Sequence, residues 1–69
     1  MVSYAKLFKL LVEKKMRRGD LKKQAGISYA TIAKMENGEN VYMDVVVKVC
    51  KALDCTVNDI MDILPEKDA

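Results

Sequence analysis

The chain has 69 residues, 51% of them hydrophobic, and its 12 Lys or Arg and 10 Asp or Glu give a formal net charge of +2. It lacks the run of roughly 20 apolar residues that a membrane span needs and the apolar core of a signal peptide, so we expect one soluble, cytoplasmic domain over residues 1–69, ordered from about 3 to 64 with a polar tail at 65–69. Two Cys and no His exclude a four-ligand zinc site and predict two reduced, buried thiols, with no metal or cofactor.

The first helix is predicted over residues 3–16. Ser3 suits its N-cap, because the hydroxyl can accept a hydrogen bond from a free backbone N–H of the first turn. Apolar side chains recur at helical spacing along this segment. The expected inward stripe comprises Leu7, Phe8, Leu10, Leu11 and Val12. We expect Met16 to enter the core as the chain turns.

The stretch 19–38 predicts two short helices separated by a sharp turn. Leu21 and Ala25 are apolar at i, i+4, and Ile32 and Met35 are apolar at i, i+3. These two apolar faces can meet only if the chain bends between them. The pattern therefore indicates a helix-turn-helix.

Local residues predict the limits of these two helices. Gly19 or Asp20 can cap the start of the second helix, and Gly26 suits the left-handed conformation that ends it. Ile27 is an apolar turn residue that we expect to be buried between the helices. The Ser28 hydroxyl can cap the third helix.

The fourth helix is predicted over residues 43–53, followed by Asp54 in the left-handed conformation that Asp tolerates. An i, i+3, i+4, i+7 pattern defines its inward stripe. The stripe consists of Val46, Val49, Cys50 and Leu53.

The fifth helix is predicted over residues 56–64, because Thr56-x-x-Asp59 has the spacing of a capping box. Three of its side chains are expected to face the core. They are Val57, Ile60 and Leu64. Met61 and Ile63 are then left over, either as dimer contacts or as two half-exposed side chains beside a wide core stripe.

One set of residues carries a family resemblance. The set is Leu21, Ala25, Gly26, Ile27, Ser28, Ile32, Met35 and the run Glu36-Asn37-Gly38. Together these residues resemble the DNA-binding motif of the Cro and lambda-repressor-like family, over roughly residues 5–64. The resemblance implies an all-α bundle of five helices with the helix-turn-helix at helices 2 and 3. It also implies a homodimer on two DNA half-sites about one helical turn apart.

The third helix, predicted over residues 29–36, is the element that the resemblance places in the major groove. With Ile32 and Met35 pointing inward, the helical period turns other side chains outward. The implied base-reading residues are Tyr29, Ala30, Ala33 and Lys34. A Lys can donate to guanine, and small or aromatic side chains can touch a thymine methyl group.

The resemblance also implies a set of DNA phosphate contacts. They are Arg17, Arg18, Lys22, Lys23, Ser28, Thr31, Asn37 and Asn40, although Asn37 and Asn40 are equally ordinary turn residues. Two positions depart from the family pattern. Lys22 stands where relatives usually have Ala or Gly. Glu36 matches a position that often pairs with an Arg on helix 1, where this chain has Leu11, so we expect Glu36 to reach solvent or a nearby Lys.

The charge is divided unevenly along the chain. Residues 1–34 hold nine Lys or Arg and two Asp or Glu, a net +7, whereas residues 35–69 hold three and eight, a net −5. This division favours a basic face for an anionic partner, although a Lys-rich solvated surface would give the same count.

The chain is not expected to be an enzyme, since it has no His, no Gly-rich phosphate loop and no nucleophile beside a base. The resemblance implies sequence-specific binding of double-stranded DNA by a small transcriptional regulator, a repressor. The alternative is a protein-interaction module on the same fold, such as an antitoxin or an antirepressor-like partner.

Overall fold

The computed structural model describes residues 2–65, so the polar tail expected at 65–69 lies, apart from Pro65, outside the described residues. Two short strands and four α-helices follow one another in this part of the chain. They are β1 (Val2–Ser3), α1 (Ala5–Glu13), α2 (Arg18–Ala25), α3 (Tyr29–Glu36), α4 (Met43–Leu53) and β2 (Asp62–Ile63), with a 3-10 helix at Val57–Asp59 before β2. None of these helices is long and apolar enough to cross a membrane.

Helix α1 is shorter than predicted at both ends. Its N-cap is Tyr4, because Ser3 belongs to β1, although the Ser3 hydroxyl still accepts a bond from the Ala5 N–H at 3.3 Å. Its far end is set by Lys15, whose φ of 58° is left-handed. The next N–H, that of Met16, then closes the helix on the Leu11 carbonyl at 2.8 Å. Val12, predicted to face inward, instead lies on the solvent side.

The core is apolar and receives side chains from all four α-helices. Its most deeply buried members are Leu7, Leu21, Ile32, Met35, Val49 and Ile60. Removing a large side chain from such a core costs about 2–5 kcal/mol, so a domain this small depends on each of them. This core fixes how α2 and α3 face each other.

The predicted fifth helix is wrong. The capping box forms, since the Thr56 N–H donates to Asp59 Oδ2 at 2.9 Å, but the segment makes one 3-10 turn and then extends. The carbonyl of Ile60, which would continue a helix, instead accepts the Leu7 N–H at 3.2 Å.

The chain beyond Ile60 forms β2, which pairs antiparallel with β1 so that Val2 faces Ile63. Pairing between the two strands provides hydrogen-bond partners for backbone N–H and C=O groups that would have bonded to one another within a fifth helix. Of the three side chains predicted to face the core here, Ile60 is fully buried, whereas Val57 and Leu64 are exposed.

The two cysteines are free and half-buried, not buried as predicted. Burial, together with the neighbouring Cys50, raises the pKa of the Cys55 thiol to about 11. This thiol is therefore protonated near neutral pH, and a protonated thiol is a poor nucleophile and metal ligand.

Candidate nucleic-acid interface

The turn between α2 and α3 is built as the sequence predicts. Gly26 has a φ of 69°, and its N–H and that of Ile27 donate to the Lys22 carbonyl at 2.9 and 3.3 Å. Ile27 is buried. The Ser28 hydroxyl accepts the Thr31 N–H at 3.1 Å and lies 3.0 Å from the Thr31 hydroxyl. These two predicted phosphate contacts are thus tied to each other at the start of α3.

Helix α3 presents a free outer face. Ile32 and Met35 are buried on its inner side, and Ala30, Ala33 and Lys34 are exposed on the opposite side. Because two of these side chains are the short ones of Ala, another molecule can approach the helix backbone closely. Lys34 adds one flexible donor to it.

Tyr29, in the first turn of α3, is 56% exposed, and its ring also lies beside α2. The Lys22 ammonium lies 5.5 Å from the ring centroid, within the range of a cation–π interaction. A Cβ at Gly19 would stand 3.1 Å from the Tyr29 hydroxyl. Gly19 therefore leaves room for the Tyr29 hydroxyl, and Lys22 lies over the ring.

Helix α2 begins at Arg18, one or two residues before the predicted start. Its N-cap is Arg17, and Asp20 acts from inside the first turn, where its carboxylate accepts the Arg17 N–H at 2.9 Å. Arg17, Arg18 and Lys23 are exposed. The start of α2 thus carries two exposed guanidinium groups beside an end of the helix dipole that favours anions.

Glu36 has a partner that the sequence did not reveal. Its carboxylate accepts a hydrogen bond from Nη2 of Arg18 and forms an ion pair with it. The ion-pair partner of Glu36 is therefore an Arg and not the nearby Lys that was one of the two expectations, and the residue is exposed as the other expectation had it. The pair joins the first residue of α2 to the last residue of α3.

The loop after α3 is held against β1. Gly38 has a φ of 71°, and a Cβ there would stand 2.9 Å from the Val2 carbonyl oxygen, so a side chain is disfavoured on both grounds. Asn37 is the C-cap of α3, and Asn37 and Asn40 are both exposed. Asn40 lies on a groove of about 390 Å³ between α3 and the start of α4.

Sequence reasoning missed three residues that line this groove, Val41, Tyr42 and Val45. The groove is lined by Thr31, Lys34, Asn40, Val41, Tyr42 and Val45. Tyr42 is the N-cap of α4 and is 83% exposed. Tyr42 directly precedes α4 and is not part of the predicted apolar stripe of that helix. This position was the available sequence signal that Tyr42 lies on the surface.

Comparison with known proteins identifies this architecture. The sequence profile of the Cro/C1-type helix-turn-helix DNA-binding domain matches residues 6–66. The chain belongs to this family. A solved structure of the transcriptional regulator VanUg is similar to it, with 43% sequence identity, a TM-score of 0.87, and coverage of 94% of this chain and 87% of the other. No curated protein matches the chain.

Membership in the Cro/C1-type family makes the protein a DNA-binding regulator. The Cro/C1-type motif here is α2, the Gly26 turn and α3. Of the two residues predicted as dimer contacts, Met61 packs against the core, whereas Ile63 on β2 is 80% exposed. In this Cro/C1-type domain Ile63 therefore lies on the surface, whereas Met61 is partly buried.

Proposed function

We propose that the protein represses transcription by binding a specific double-stranded DNA sequence with α3 in the major groove. The observation that carries this proposal is the outer face of α3, where Ala30, Ala33 and Lys34 lie exposed. A helix is about 10–12 Å across and the major groove about 12 Å wide, so a face of small side chains can reach the base edges.

The base contacts follow from this placement. Lys34 donates to guanine, and Ala30 and Ala33 contact thymine methyl groups. Tyr29 reads a base only at the edge of the site, since its ring is packed against Lys22. Such a surface has few hydrogen-bonding groups, so the shape and deformability of the DNA contribute to its preference.

The proposed phosphate contacts lie around α3. Arg17, Arg18, Lys22 and Lys23 are exposed at the start of α2 and along it, and Asn37 and Asn40 are exposed in the segment that follows α3. Ser28 and Thr31 are weaker members, because their hydroxyls are engaged with each other. These contacts fix the register of the protein on the duplex and make binding salt-dependent.

We further propose that two copies bind together through the β2 surface around Ile63. Ile63 is 80% exposed on a short strand, and packing it against a second copy would remove apolar surface from water. A two-fold dimer would place two α3 helices on half-sites one helical turn apart.

The test is selection of duplexes from a random pool by the purified protein at about 150 mM salt. An enriched motif with two related half-sites supports specific dimeric binding, and a single half-site contradicts the dimer. A lack of enrichment by folded protein contradicts the function. Repression is tested by placing the selected site over a reporter promoter, where occupancy should lower transcription.

A protein-interaction module is the second candidate. Tyr42, Met43 and Val47 form an exposed apolar surface at the start of α4, and such surfaces often bind proteins. This candidate is favoured if the random pool gives no motif and a Met43→Lys variant stays folded but loses a partner that the wild-type protein retains.

A further inference from the structure

The guanidinium of Arg18 forms an ion pair with Glu36. We propose that Glu36 is a positioning residue, which holds Arg18 in the orientation that contacts a DNA phosphate. This inference rests on the proposed DNA-binding function and assigns a role to an acidic residue within the interface.

The ion pair spans the helix-turn-helix. Arg18 and Glu36 are 18 residues apart in the chain, at the start of α2 and the end of α3. A contact between these two ends restrains both the Arg18 side chain and the angle between the helices. The pair is thus suited to coupling a phosphate contact to the placement of α3.

The geometry of the pair leaves Arg18 able to bind an anion. Glu36 accepts from Nη2 of Arg18 through a single oxygen, and a guanidinium has further N–H donors on its other edges. The Arg18 side chain is 60% exposed, and that of Glu36 is 29% exposed. The carboxylate is the more sheltered partner, and the donors of Arg18 remain open to solvent. A fork of two N–H groups matches a phosphate.

Charge alone predicts the opposite effect of Glu36. A carboxylate close to DNA repels the phosphates, so its removal should strengthen binding. A positioning role predicts that its removal weakens binding, because a long Arg side chain then has to lose its conformational freedom when DNA binds. The direction of the change therefore separates the two roles.

Glu39 provides a matched control. It is exposed in the loop three residues after Glu36, and it makes no ion pair among residues 2–65. Glu39→Gln removes the same charge from the same region without touching Arg18. Binding of the selected duplex by the full chain is compared for wild type, Glu36→Gln and Glu39→Gln over a series of salt concentrations.

We expect Glu36→Gln to weaken binding by about 2–5-fold, the effect typical of a partly exposed charge pair, and Glu39→Gln to leave it equal or tighter. Glu36→Gln should also reduce the salt slope, by no more than the roughly one unit expected for Arg18→Ala. A merely structural role would leave the slope unchanged. In an Arg18→Ala background, Glu36→Gln should no longer weaken binding.

Tighter binding by Glu36→Gln, or weakening that persists without Arg18, would overturn the positioning role. If Glu36→Gln fails to fold, Arg18→Lys keeps the charge but lacks the planar fork. Wild-type affinity of Arg18→Lys would likewise overturn the proposal, and several-fold weaker binding would support it. Failure of the wild type to bind any duplex is a different outcome, because it refutes the proposed function itself.

Discussion

The ammonium of Lys22 lies 5.5 Å from the centroid of the Tyr29 ring. This contact connects the middle of α2 to the first turn of α3 on the outside of the motif, whereas Leu21 and Ile32 connect the helices on the inside. The two helices are therefore held together on the outer face of the motif as well as in the core.

A double-mutant cycle should detect the contact between Lys22 and Tyr29. Exposed cation–π pairs contribute about 0.5–1 kcal/mol, so Lys22→Ala should lower the free energy of unfolding by about that amount in the wild type. In a Tyr29→Leu background the same change should have little effect. Urea unfolding monitored by circular dichroism measures both. Equal losses in the two backgrounds would show that the ring does not hold the Lys.

Lys34→Ala should change the sequence preference of DNA binding. If Lys34 donates to guanine, its loss should cost about 1–3 kcal/mol on the preferred sequence and relax the preference at one base position. Selection from a random pool and direct affinity measurements test this. Lys51→Ala, which removes the same charge from the last turn of α4, is the control. Uniform weakening on all sequences would make Lys34 a phosphate contact.

The glycines at 26 and 38 should differ in their response to Ala. Both have a left-handed φ, near 70°, which costs an L-residue about 1–2 kcal/mol. A Cβ at Gly26 meets nothing within 4 Å, whereas a Cβ at Gly38 would stand 2.9 Å from the Val2 carbonyl oxygen. Gly38→Ala should therefore destabilise more than Gly26→Ala, which serves as its control.

Thermal unfolding of the two Ala variants gives the comparison directly. Each kcal/mol corresponds to about 4–8 °C in the melting temperature of a domain this size. Equal melting temperatures would mean that β1 moves away from Gly38 at no cost.

The helices that the sequence predicted correctly are those whose limits are local. Helices α3 and α4 have the predicted bounds, because the Ser28 cap and the left-handed Asp54 act within a few residues of the helix end. The bounds of α1 were predicted less accurately. Lys15 adopts a left-handed conformation there, whereas Gly or Asn is the usual sequence signal for that conformation.

The errors arose where distant residues meet. The fifth helix was predicted from a capping box that does form. The chain leaves the helical path at Ile60, because the Ile60 carbonyl accepts the Leu7 N–H and the residues after it pair with strand β1. Glu36 was expected to reach solvent or a nearby Lys, because Leu11 stands at the usual position of its partner, whereas Arg18 of α2 supplies the charge. Periodicity and caps carry no information about such pairings.

The 3-10 turn that stands in place of the fifth helix should make the stability of the protein depend on pH in the acidic range. Asp59 accepts the N–H and the hydroxyl of Thr56, at 2.9 and 3.1 Å. These hydrogen bonds, and more weakly the charge of Lys6, lower the pKa of Asp59 below its usual value of 3.8. The stabilisation is therefore fully present above the unfolded pKa, and it is lost as the pH falls through the lower pKa of the folded state.

Asp59→Asn should consequently unfold at a lower temperature than the wild type near pH 7, and the difference should narrow as the pH falls below about 4. Thr56→Ala removes one of the two donors to Asp59. The difference in melting temperature between this variant and the wild type should therefore narrow less at low pH than the difference for Asp59→Asn. Melting temperatures between pH 7 and pH 3 measure both effects. A difference between wild type and Asp59→Asn that stays constant over this range would mean that the ionised carboxylate contributes nothing to the turn.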